Sequence, residues 1–282
     1  MAPDSKVGLL FWAWKETFVA LRRPVVLLPF LIYAAVQLFL VAGLVFFMYP
    51  PFSFVFLPLL HWLGGEAALH YPNYFLGLPQ AFDLLNLGLS GVLGIGVVGL
   101  ATLLFTANER KTTLGMRIKS VRARYVHLFG AWLVETALSL VVIYGCAAWA
   151  AGSPDLAKYL SVARVLGVIL VSALLGFTSV LIMLERQSFA TAIVTSLRHC
   201  ARYGVLAFVV VGLPSLLQLP IQFLLSKSAV IVQKLNPEII VAVVSGGIFA
   251  GMISNFLIIG ALTNLYRIIA FENENIPQPK KA

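Results

Sequence analysis

Long stretches without a charged residue alternate with short basic segments, and this pattern sets the reading of the whole chain. The uncharged runs cover 24–65, 84–108, 165–184, 203–226 and 239–266, and a sixth, 126–149, holds a single acid, Glu135. About 20 apolar residues in helical form cross the hydrocarbon of a bilayer. A closed β-barrel would instead show strands of about ten residues with alternating polarity, and these runs do not alternate. The pattern predicts an all-α polytopic membrane bundle with six spans, near 24–48, 84–108, 126–150, 160–184, 203–226 and 239–266.

The first run is too long for one span and too short for two. Tyr49-Pro50-Pro51 breaks it, and the remainder, 52–62, is below spanning length and contains Pro58. Its aromatic residues suit the headgroup region, so an interfacial or re-entrant piece is expected within an outer loop at 49–83. A seventh span there would invert every later loop.

Three basic stretches that precede the first, third and fifth spans share a design. In 7–23 the apolar positions Val7, Leu10, Phe11, Trp14, Phe18 and Leu21 follow a helical spacing. In 187–202, Phe189, Ile193, Leu197 and Cys200 form one stripe, opposite Thr191, Thr195, Arg198 and Arg202. Setting Arg23 over Arg202 aligns Leu10, Trp14, Phe18 and Leu21 with Phe189, Ile193, Leu197 and Cys200. The middle stretch, 112–125, matches at Leu114, Ile118 and Val121, with Arg122 and Arg124 flanking the anchor position. Each stretch is expected to lie as an amphipathic helix in the interface, its arginines meeting anionic headgroups. The headgroup contacts expected are Arg22, Arg23, Arg122, Arg124, Arg198 and Arg202. The chain then reads as one integral membrane domain, 1–282, with a three-fold repeat of interfacial helix plus two spans. The alternative is convergence, since any basic loop leading into a span tends to be amphipathic.

Composition removes the other classes. Of the 282 residues 60% are hydrophobic and 11% charged, with two cysteines. That is far from the balance of a soluble domain, and it excludes disorder and a disulfide scaffold. Cys146 and Cys200 fall at opposite ends of their spans, too far apart for a disulfide. With the N-terminus in the cytoplasm, sixteen of the twenty Lys and Arg residues fall on the cytoplasmic side, leaving Lys158, Arg164, Lys227 and Lys234 outside. That bias sets the orientation. The net charge of +9 is thus a topology signal; the basic residues form no nucleic-acid module, and no nucleic-acid partner is expected. Residues 1–6 show no cleavable signal, and Ala2 in place of glycine argues against N-myristoylation.

The Leu-Arg-Arg-Pro turn at 21–24, the Leu-Leu-Pro-Phe at 27–30 and the Ser-Phe-Ala-Thr-Ala-Ile-Val-Thr-Ser-Leu at 188–197 resemble a diffuse superfamily. It is the six-span membrane domain found beside some bacterial glycerophosphodiester phosphodiesterases, with its stand-alone relatives. The resemblance implies a six-span fold in a bacterial inner membrane. It brings no catalytic residue, and the phosphodiesterase domain itself has no counterpart here.

Few polar residues interrupt the spans. Glu135 is costly inside a bilayer and is expected to face the bundle or water, with Gln37, Asn255 or Arg164 as partner. It serves either a relay or a packing contact. The fifth span holds Pro214 and Pro220 with Gln218 and Gln222, which reads as a broken, cavity-lining helix or as a simple kink. Gly88, Gly91, Gly94, Gly96 and Gly99 thin the second span, and Gly247, Ala250, Gly251 and Ser254 the sixth. Such faces pack within a bundle or against another membrane subunit. In the outer loop His61, Glu66 and His70 are zinc-type ligands, but their spacing fits no zinc motif. The Gly94-x-Gly96-x-x-Gly99 string lies inside a span, without the strand–turn–helix context that a phosphate cradle needs. No cofactor is expected.

Three function classes remain. The first is a non-enzymatic membrane protein that handles a lipid or hydrophobic substrate or serves as the membrane subunit of an envelope complex. The second is a proton-coupled transporter or channel lined by Glu135, Gln218 and Asn255. The third is a metal-dependent membrane enzyme built on His61, Glu66 and His70. The sequence favours the first, because it supplies no convergent catalytic set.

Overall fold

A computed structural model describes residues 6–106, 113–152 and 157–275. The side chains of Lys6, Arg110, Lys111, Lys158, Lys280 and Lys281, all counted in the charge argument, lie outside that description.

The chain is all-α, with no strand among the described residues. It is a multi-pass membrane protein: six helices are long and apolar enough to cross a membrane, at Pro24–Val45, Tyr74–Phe105, Leu114–Gly152, Tyr159–Leu184, Phe189–Ser226 and Ile239–Ala270. In chain order the α-helices are α1 (Lys6–Ala20), α2 (Pro24–Val45), α3 (Ser53–Gly64), α4 (Tyr74–Leu89), α5 (Ile95–Phe105), α6 (Leu114–Gly152) and α7 (Ala157–Leu175). Then follow α8 (Phe177–Leu184), α9 (Phe189–Ser215), α10 (Leu219–Ser226), α11 (Ser228–Lys234) and α12 (Ile239–Asn275).

Local chemistry explains the breaks. After α1, the amides of Leu21, Arg22 and Arg23 bond three residues back, to Phe18, Val19 and Ala20, and Pro24 then has no N–H with which to continue. Proline suits the first position of α2, where its missing donor costs nothing. In α9 the helical ladder is interrupted at Tyr203, with φ −121° and ψ 19°. The fifth span breaks again at the 3₁₀ turn Leu216–Gln218, between Pro214 and Pro220.

Two expected boundaries differ. The second span begins at Tyr74 rather than near residue 84, so the outer loop shrinks to α3, the 3₁₀ turn Glu66–Leu69 and their connections. Asp83, which ends the uncharged run, points outward from α4 and does not stop the helix. The interfacial helix expected at 112–125 is not a separate element: it is the beginning of the 39-residue α6, which contains no proline and no break.

The chain divides into two compact units. The first takes Met1–Leu27, Ile95–Leu213 and Phe256–Ala282. Its core is α8, where Phe177, Leu181 and Ile182 are fully buried against Ala13, Ala192, Ala261 and Leu265. A methyl at Gly176 would come within 2.9 Å of Leu262 Cδ1, so the α7–α8 junction needs glycine for close approach to α12. The second unit takes Leu28–Gly94 and Pro214–Asn255, with Phe75, Leu78, Ala81, Leu44 and Ile240 in its core. A methyl at Gly247 would lie 3.0 Å from Ile221 Cγ2, and one at Gly251 would lie 3.2 Å from Gln218 Nε2. The small face of the sixth span is therefore taken up by packing against the fifth inside this unit.

Candidate functional site

The stretches 7–23 and 187–202 dock in the same way, and not as their large apolar stripes suggest. In α1 the buried positions are Leu9, Ala13, Thr17 and Ala20, while Val7, Phe11 and Phe18 are exposed. In α9 the buried positions before the bend are Ala192, Ser196 and Cys200, while Phe189, Val194 and Leu197 are exposed. In the register that sets Arg23 over Arg202, Ala13 matches Ala192 and Thr17 matches Ser196, and all four have 0% exposed surface. Small residues let these helices approach their neighbours closely. Cys200, expected on the outer stripe, is buried, its Sγ donating to Ala173 O at 3.0 Å. It and Cys146 are free.

Each buried polar position of this register finds a partner. Thr17 Oγ1 donates to Ala13 O at 2.7 Å and accepts from Asn264 Nδ2 at 3.2 Å. Ser196 Oγ donates to Leu174 O at 2.7 Å. In the middle stretch the equivalent residue is Arg117, buried, with Nη1 donating to Leu103 O at 3.0 Å. Leu103 lies in the last turn of α5, where carbonyls have no helical donor and the helix dipole favours a cation.

Beside α1 lies a partly open cavity of about 80 Å³. It is lined by Glu16 and Ala20 on α1, Arg23 in the turn after it, Phe105 and Thr106 at the end of α5, and Asn264 and Arg267 on α12. Asn264 is fixed on both sides, since its Oδ1 accepts from Arg267 Nη1 at 3.4 Å while its Nδ2 serves Thr17. A methyl at Gly260 would meet Thr17 Cγ2 at 2.6 Å and Phe105 Cζ at 2.7 Å. Glycine there is what lets Thr17 and Phe105 pack closely against α12. Nearby on the same helix, Tyr266 Oη donates to Glu185, which also accepts from Gln187.

Of the polar residues singled out in the spans, Glu135 belongs to the first unit and Gln37, Gln218, Gln222 and Asn255 to the second. Glu135, half-buried on α6, hydrogen-bonds Ser172 on α7, a partner within its own unit that was not among those expected. The close approach of Gly167 to Val142 explains this, because it fixes the α6–α7 hairpin in the register that sets Ser172 beside Glu135. Arg164 is exposed. In the second unit, Gln37 is buried and its Nε2 donates to Asn86 Oδ1 at 2.7 Å, with Tyr33 Oη at 3.4 Å from the same oxygen. Asn255 and Gln222 are exposed, and Gln218 is half-buried against Gly251. The break in the fifth span is tied down by Ser254 Oγ, which donates to Pro214 O at 2.7 Å.

Of the expected headgroup contacts, Arg22, Arg122, Arg198 and Arg202 are exposed, while Arg23 and Arg124 are half-buried. His61, Glu66 and His70 are exposed, and among the described residues no group of three or more His, Cys, Asp or Glu is placed to hold a metal ion. Sequence reasoning passed over Thr17, Asn86, Thr106, Arg117, Ser196 and Asn264. A signal for Thr17 and Ser196 existed: each sits on the small-residue side of its stretch, at the same place in the register. No family model, curated protein or solved structure matches the chain.

Proposed function

We propose that the chain is a non-enzymatic membrane protein of the bacterial inner membrane, with both termini cytoplasmic, that handles a lipid or other hydrophobic substrate at the inner headgroup layer. The observation that carries this reading is the shared docking of α1 and the first half of α9. Each turns small residues inward and leaves large apolar side chains uncovered: Phe11 at 72% and Phe18 at 52% on α1, Leu197 at 43% on α9. Arg22, Arg198 and Arg202 stand exposed at the bends that follow. An uncovered apolar face flanked by arginines is the make-up of a helix lying at a lipid surface, and the positive-inside bias assigns that surface to the cytoplasm. The resemblance to the six-span domain beside glycerophosphodiester phosphodiesterases points to the same membrane. The alternative form, membrane subunit of a larger complex, draws on α6, whose apolar window is only 6% buried.

Depth measurement by electron paramagnetic resonance tests the reading. Spin labels at Phe11→Cys and Leu197→Cys, in protein lacking Cys146 and Cys200 and set in phospholipid nanodiscs, are expected to collide with oxygen more than with a water-soluble nickel complex. Labels that meet the nickel complex freely would place both helices in water and overturn the proposal.

A further inference from the structure

Where the chain leaves α2, it turns back into the layer it has just crossed. The 22 residues of α2 rise about 33 Å at 1.5 Å per residue, which matches the roughly 30 Å of a bilayer's hydrocarbon. Val45 therefore marks the boundary of the leaflet remote from Pro24, and Phe39 lies about 9 Å beneath it. The turn that follows does not carry the chain outward, because the ring of Phe52 meets that of Phe39 at 5.7 Å between centroids. One turn on, Phe56 packs on α2 at Gly43, where a methyl would come within 3.0 Å of Phe56 Cζ and 3.2 Å of Phe52 Cδ1. Phe52 and Phe56 thus climb α2 in step with Phe39 and Gly43, so α3 starts inside the leaflet and leaves it at a slant. Its packed side, Phe56, Leu57, Leu60 and Leu63, joins the core of the second unit. The opposite side is one stripe, Phe54, Val55, Pro58 and Trp62, all exposed, with Phe54 at 78% and Trp62 at 73%. No Lys, Arg, Asp or Glu falls between Pro24 and Gly65. In water such a stripe would be an uncovered apolar patch; among acyl chains, as apolar as the stripe itself, it needs no other partner. Phenylalanine suits the depth of the chains and tryptophan the headgroup level. We propose that α3 is sunk obliquely in the leaflet remote from Pro24, its stripe covered by lipid acyl chains at Phe54 and Val55 and by headgroups at Trp62. In the orientation set by the positive-inside bias this is the outer leaflet. The inference goes beyond the reading of the inner headgroup layer and does not rest on it, since the depth comes from the contacts of α2 and α3 alone.

Depth-resolved quenching tests it. The full chain lacking Cys146 and Cys200 carries a bimane label at Phe54→Cys or at Trp62→Cys. It is set in nanodiscs of phosphatidylcholine brominated either at the middle of the acyl chain or beside its ester, and iodide probes the water. The two positions stand about 12 Å apart along the helix. The label at 54 is expected to be quenched several-fold more by mid-chain bromine than by iodide. The label at 62 is expected to respond more to bromine beside the ester than to bromine at mid-chain. Equal profiles at both positions would mean a helix lying flat. Strong iodide quenching at 54 would mean a stripe in water, open to a soluble partner, and protection from both quenchers would mean a protein cover such as a second copy. Each of these three results overturns the proposal. Should Phe54→Cys fail to fold, Val55→Cys, at 62% exposure, reads the same depth, and the exposed His61 serves in the same way for Trp62.

Discussion

The stretch before α2 and the stretch that opens α6 look alike in sequence and behave differently. Both are basic, both carry apolar residues at helical spacing, and both lead into a span. The first ends in a turn at Leu21–Arg23, whereas the second runs straight on for 39 residues. In the common register the positions of the break are Pro24 and, in α9, Tyr203; the equivalent in the middle stretch is Arg124. Proline has no donor for the ladder, and Tyr203 sits beside Gly204, a residue that weakens helix. Arg124 is an ordinary helix former. A second difference runs with the first. The docking position is a small hydroxyl in the stretches that bend, Thr17 and Ser196, and a buried guanidinium, Arg117, in the one that does not. Amphipathic spacing alone therefore does not make an interfacial helix. A break residue must end it, and a small face must let it lie against its neighbours.

Supplying the missing break should have the largest effect. Arg124→Pro removes the bond to the carbonyl four residues back and sets a ring against it, which costs about 3 kcal/mol or more inside a helix. In the parent, labels at Met116 and Leu133, both exposed, should stand about 26 Å apart along a straight helix, at 1.5 Å per residue. The variant should shorten that distance by several ångströms and lower the thermal midpoint in detergent. An unchanged distance would mean that the sequence at residue 124 does not decide whether the stretch bends.

Arg117 and Ser196 give the next comparison. Both donate to a carbonyl near the end of a preceding helix, Leu103 in α5 and Leu174 in α7. Arg117→Met leaves a buried carbonyl without its charged donor, at a cost of about 2 kcal/mol, whereas Ser196→Ala forfeits a neutral bond at about 1 kcal/mol. Thermal midpoints measured in one detergent should fall in that order. Equal losses would show that the guanidinium contributes packing alone.

How much of this was legible follows from the solvent. The six apolar helices are visible in the sequence because every span must satisfy its backbone internally and needs about 20 apolar residues. The bend at Pro24 is visible because proline has a local mechanism. The docking faces were not. In water an apolar stripe marks the core, but in a bilayer lipid is as apolar as protein, so Phe11 and Leu197 can face outward while Ala13 and Ser196 pack inward. The cavity was hidden for a related reason. Its residues come from three separate places, at Glu16–Arg23, Phe105–Thr106 and Asn264–Arg267, and each alone reads as an ordinary polar end of an apolar run. Glu135 was visible as a cost, but its partner depended on the α6–α7 register, which Gly167 and Val142 fix by close approach.

The smallest expected effect lies at the entry to the third stretch. Arg186, between α8 and α9, adopts φ +58°, a left-handed conformation that an L side chain occupies at a cost of about 1–2 kcal/mol. The chain needs it there because α8 is packed on all sides while α9 must leave in a new direction within four residues. Neither of the other two stretches contains a described non-glycine residue at positive φ. Arg186→Gly should relieve the strain and raise the thermal midpoint, by about 0.5–1 kcal/mol once glycine's greater freedom in the unfolded chain is set against it. Arg186→Asn should fall between, since asparagine tolerates this region, and Arg186→Ala should gain nothing. If alanine raises the midpoint as much as glycine does, the gain comes from removing a charge, and the entry to the third stretch is no more strained than the other two.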